Sequence, residues 1–120
     1  MIEEKGFSVI RFAVPALVLL CATPAAAASF DCARARAPDE KAICANRALN
    51  DQDVRMVTML VMEEHLLAMG GRDAMKDDQR DWLHQRQTCK GNVKCLAKAY
   101  DDRLAELQKA FDQIASHGPF

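Results

Sequence analysis

Cysteine, methionine, histidine and paired acids are the residues of this chain that could do chemistry, and their spacing decides which chemistry. Cys32, Cys44, Cys89 and Cys95 are spaced C-x11-C and C-x5-C, not the close C-x2–4-C pairs of structural zinc sites. No C-x-x-C redox motif and no C-x-x-C-H haem attachment site occurs. Glu63-Glu64-His65 offers acids beside a histidine, but H-E-x-x-H is absent and consecutive helix positions diverge, so this triplet reads as a solvated face. His65, His84 and His117 are scattered. Met56, Met59 and Met62 recur every three residues; thioethers are soft ligands that suit copper(I), but with no cysteine or histidine at a matching spacing these methionines read first as core filler. Asp77, Asp78, Asp81, Asp101 and Asp102 could bring two carboxylates together, yet no G-x-S-x-G, phosphate loop or dinucleotide fingerprint supplies an activated group. The expectation is a protein without catalysis, cofactor or resident metal.

More informative are Gln79 and Arg86. With Met75, Trp82 and Leu83 they share one face at helical spacing. A polar group on an apolar face must be hydrogen-bonded or it destabilises the fold. Asp53 and Tyr100 are the expected partners, in a network that sets helix register; the rival reading is a recognition patch.

The elements that must position these groups are all helical. Pro38-Asp39-Glu40 suits the first turn of a short helix over 38–44. Asn46 can cap a second helix running to about Met69, ended by Gly70-Gly71. Asp73 can cap a third, ending near Thr88–Cys89. Asn92 can cap a fourth, in which Leu96, Tyr100, Leu104, Leu107, Phe111 and Ile114 form the cleanest apolar stripe of the chain, closed by Gly118-Pro119. The fold class is therefore all-α: a bundle of three longer helices plus one short N-terminal helix.

Composition bounds the rest. The chain has 120 residues, 16 Lys+Arg against 17 Asp+Glu, and is 50% hydrophobic. One domain fits that length. The near balance of charge argues against nucleic acid as a partner and against a polybasic membrane arm. Residues 1–28 read as a cleavable leader: Lys5 and Arg11 precede an apolar run from Phe12 to Ala22, and Ala26-Ala27-Ala28 before Ser29 is a small-x-small cleavage pattern. The run is shorter than a membrane span, so contact with the membrane is expected only through the leader before cleavage. Large Leu20 before Cys21 disfavours lipidation. Cleavage leaves a single domain, 29–120, with four cysteines. An even count in a short exported chain reads as disulfides, placing the protein in the periplasm or outside the cell. Four cysteines allow three pairings. The local one, Cys32–Cys44 with Cys89–Cys95, would fold the N-terminal arm onto the short helix and staple the last helical hairpin.

Phe30-Asp31-Cys32, Glu40-Lys41-Ala42-Ile43-Cys44, Leu49 and Asp53 resemble the front of the lysozyme-inhibitor LprI-like family. Gln79-Arg80-Asp81-Trp82-Leu83, Arg86, Cys89, Cys95-Leu96, Tyr100 and Arg103-Leu104 resemble its back half. The resemblance covers about 30–107. Gln52 stands where the family usually has Leu, and the aromatic common near Leu60 is missing. The resemblance implies a small, helical, disulfide-bonded exported domain that binds and blocks a lysozyme. Glu40, Asp53, Gln79, Trp82, Arg86, Tyr100 and Arg103 are its shared motif residues and read as fold determinants. The loop at Gly70-Gly71-Arg72 and the turn at Lys90-Gly91-Asn92 are the expected partner contacts, a cation there facing the carboxylates of a lysozyme cleft. A non-enzymatic envelope module with another partner is the alternative reading, and a methionine copper carrier a further one.

Overall fold

The computed structural model describes residues 28–117; the expected leader lies outside them except for Ala28. A 3₁₀ turn at Cys32–Arg34 leads to α1 (Pro38–Ala45), α2 (Arg47–Leu66), α3 (Met69–Thr88) and α4 (Val93–Ser116). The described residues form an all-α bundle: three long helices and one short one.

The caps explain most boundaries. Pro38 opens α1, where a missing N–H costs nothing. Asn46 Oδ1 accepts the Leu49 N–H at 3.2 Å, and Asn92 Oδ1 accepts the Cys95 N–H at 3.0 Å. Both asparagines act as the sequence leads one to expect.

The α2–α3 junction differs from that expectation. Helix α2 stops at Leu66, and α3 begins at Met69, not near Asp73. Leu67 and Ala68 are extended and alone make the connector. Gly70-Gly71 therefore lies inside the first turn of α3, which closes through Arg72 N–H to Ala68 O at 2.9 Å. The helix-stop reading of the glycine pair is corrected. In a first turn the amides lack intrahelical partners, so glycine there breaks no established ladder.

The core is built mainly by α2 and α4, which share the largest interface. Leu49, Met56 and Leu60 of α2 meet Leu96, Tyr100, Leu104 and Leu107 of α4, with Ile43 of α1 and Trp82 of α3 completing the cluster. The α4 stripe outruns this core: Phe111 is exposed and Ile114 half-buried. Helix α3 buries Gln79, Trp82 and Arg86, so two of its three inward residues are polar. Two disulfides close the ends. Cys32–Cys44 ties the N-terminal arm to the last turn of α1, with Cα atoms 5.7 Å apart. Cys89–Cys95 ties the end of α3 to the start of α4, at 5.5 Å. No helix among the described residues is long and apolar enough to cross a membrane.

Candidate functional site

Four of the seven motif residues, Asp53, Trp82, Arg86 and Tyr100, meet in one buried cluster, and Arg86 is its hub. Its Nε and Nη2 donate to Asp39 Oδ2 of α1 at 3.0 and 2.9 Å. Its Nη1 donates to the Tyr100 hydroxyl of α4 at 3.3 Å and lies 3.9 Å from Asp53 Oδ1 of α2. The Tyr100 hydroxyl in turn donates to Asp53 Oδ1 at 2.8 Å. The guanidinium sits 5.9 Å from the Phe30 ring and 5.8 Å from the Trp82 ring, within cation–π range of both. One side chain of α3 thus contacts all three other helices and the N-terminal arm. Burial, and then the neighbouring Asp53 charge, hold the Tyr100 hydroxyl well above its ordinary pKa. It stays protonated and donating.

Asp53 and Tyr100 are the partners expected for Arg86. Gln79 pairs elsewhere: its amide donates to Met56 Sδ at 3.4 Å, and its Oε1 accepts from Arg103 Nε at 3.1 Å. Arg103 also reaches Glu106 at 3.1 Å. Trp82 Nε1 donates to Ala99 O at 3.3 Å. Glu40 caps α1 from within: its Oε2 accepts the Arg36 and Ala37 N–H groups at 2.9 and 3.1 Å. These two bonds hold its carboxyl below the ordinary range. Every motif residue is therefore engaged inside the fold.

Of the two expected contact loops, the turn at Lys90-Gly91-Asn92 lies between α3 and α4 as expected, and the one at Gly70-Gly71-Arg72 is placed differently. Arg72 belongs to α3, not to a loop, and its guanidinium donates to Glu64 O at 2.9 Å and Leu67 O at 3.4 Å. It caps the carbonyl end of α2 instead of projecting toward a partner, because the connector is too short to release it. Lys90 is exposed with a left-handed backbone, φ 51°. Asn92 spends its side chain on the α4 cap.

Four residues escaped the sequence reading. Asp39, read as a helix-end acid, is 1% exposed and bound to Arg86. Asn50 is buried. Glu63, read as solvated, is 1% exposed, and neither carboxylate oxygen has a hydrogen-bond partner among the described residues; burial pushes its pKa up. The signal was available, since Leu49, Asp53, Met56, Leu60 and Glu63 follow one 4-3-4-3 stripe. Ser29, whose N–H donates to Asp53 Oδ2 at 2.6 Å, is the fourth. The three methionines also part company: Met56 is buried under Gln79, Met59 is half-buried and Met62 is 58% exposed.

On the outside, α3 and α4 diverge to leave a groove of about 490 Å³. Asp78, Asp81 and Gln85 line it with the Arg103–Glu106 ion pair, and Trp82, Leu107, Met75 and Ala110 supply its apolar part. Asp78 and Asp81 have no ion-pair partner among the described residues. No family model matches the chain, and no curated protein or solved structure does either.

Proposed function

We propose that this chain is an exported lysozyme-inhibitor-like protein, which binds lysozyme-type muramidases and blocks them without chemistry of its own. The observation that carries this reading is the acid-rimmed groove between α3 and α4. With Glu106 held by Arg103, the carboxylates left to complement a cationic protein surface are Asp78 and Asp81, and the apolar part of the groove can receive the stem of an arginine or lysine while these two acids hold the head. The LprI-like pattern of residues supports the same reading. In this proposal the main docking surface is the α3–α4 groove in place of the Arg72 segment, since Arg72 is committed to the end of α2.

The test is lysozyme-catalysed lysis of cell walls, with and without the full chain purified from an exporting host with both disulfides formed. Several lysozyme classes should be tried. Stoichiometric inhibition that is weakened by D78K/D81K, in a protein with unchanged helicity, supports the reading. Inhibition untouched by D78K/D81K moves the contact away from the groove. Absence of inhibition by the folded protein overturns the function and leaves an envelope module with a different partner.

A further inference from the structure

The strongest unassigned feature lies where the N-terminal arm meets the buried ion cluster. Ser29 and Phe30 line a recess of about 380 Å³ whose other walls include Glu40, Asp53 and Arg86. Asp39 backs the same guanidinium. Three carboxylates thus face one cation. Asp53 is fully buried, and its Oδ2 receives the Ser29 N–H at 2.6 Å. Asp39 Oδ1 has no hydrogen-bond partner among the described residues. A surplus of buried negative charge is costly, because low-dielectric surroundings withhold the solvation that ions need.

The nitrogen that touches Asp53 belongs to the bond that the small-x-small pattern Ala26-Ala27-Ala28 marks for cleavage. We infer that leader removal between Ala28 and Ser29 completes the buried cluster: the new Ser29 α-ammonium becomes the second cation, bound to Asp53 Oδ2. The inference rests on the expected leader and is independent of lysozyme binding. In the hydrolysis, the C–N bond of the Ala28–Ser29 amide breaks. Water gives its oxygen to the Ala28 carbonyl carbon, which departs as a carboxylate. The nitrogen stays with Ser29, takes up the released protons and carries a positive charge.

The consequence is a change in the kind of bond at an unchanged place. A neutral amide N–H donating to Asp53 becomes a charge-assisted pair, the stronger class of hydrogen bond. The side chain of Ser29 is exposed while its nitrogen points inward, and of the described residues only Ala28, at the edge of the core, leaves with the leader. Processing then stabilises the folded domain by adding a charge, beyond releasing it from its leader.

The experiment begins with the full chain expressed in an exporting bacterium and purified in its oxidised form. Intact mass and N-terminal sequencing should read Ser29 as the first residue. The same protein with its α-amine acetylated should melt about 4–8 °C lower. In D53N the acetylated and free forms should melt together. Should D53N fail to fold, the rate at which an amine-selective reagent acylates the native N-terminus, against the urea-unfolded chain, replaces it. Slowing by about tenfold is expected for an ammonium held by a carboxylate. A first residue other than Ser29, an unchanged melting temperature on acetylation, a gap that survives in D53N, or equal acylation rates would each overturn the inference.

Discussion

Arg86 joins the three other helices and the N-terminal arm, through its charge and through the Phe30 and Trp82 rings that flank its guanidinium. Replacing it with a methionine of similar length leaves Asp39 and Asp53 buried without a cation. That is expected to cost about 3–5 kcal/mol, seen as a large fall in the urea midpoint without a change in helix content at low denaturant. Glu63 makes the opposite case. Its carboxyl is buried and unpaired beside Met59, Met62 and Phe111, so E63M should stabilise the protein by about 1–3 kcal/mol. The pH dependence follows from the direction of its shift. A raised native pKa means that the folded state holds the proton more tightly than the unfolded chain does. Stability therefore falls as pH rises from the ordinary carboxylate range up to the native value, and E63M should remove that fall in a pH series of urea melts. At this scale the sequence showed the polar network in outline. Gln79 and Arg86 stood out on an apolar face, and Asp53 and Tyr100 are indeed Arg86's neighbours. Asp39 and Glu63 did not stand out, because an acid at a helix end and an acid in an E-E-H run both have ready solvent explanations.

Element boundaries reveal what short-range patterns miss. Gly70-Gly71 looked like the end of α2, yet two extended residues, Leu67 and Ala68, make the turn, and Arg72 satisfies the carbonyls that a left-handed glycine would otherwise serve. A side chain five to eight residues downstream replaced the glycine cap, across a connector that the glycine pair disguises. The next junction has a similar surprise. The left-handed residue after α3 is Lys90, while Gly91 beside it needs no positive φ. A side chain in that conformation is strained by about 1–2 kcal/mol. K90G is thus expected to raise stability by about 1 kcal/mol, measured by chemical denaturation. The capping asparagines were legible because their side chains act on amides three residues away, within the reach of a local reading.

For the whole molecule, the two disulfides are unequal. In chain-entropy terms each closes a short loop worth about 2–3 kcal/mol. Cys32–Cys44 does more, since it also holds the arm that brings Phe30 onto Arg86 and Ser29 onto Asp53. C32S/C44S should therefore lower the melting temperature more than C89S/C95S does. The bundle was legible from spacing, and the local cysteine pairing was the favoured one of three that the sequence left open, whereas the α3–α4 groove was not legible, because it depends on how far two helices diverge. That divergence has a consequence for motion. Helices α2 and α4 are joined by a broad apolar interface, whereas α3 is held by Trp82, by half-buried Met75 and Leu83, and by the Gln79 and Arg86 contacts, whose polar groups regain water when the whole helix lifts away. Native-state hydrogen exchange should accordingly find two tiers. The central amides of α2 and α4 exchange only when the whole domain unfolds. Those of α3 exchange through a cheaper opening that swings the helix on the Cys89–Cys95 tether and returns it to the same place.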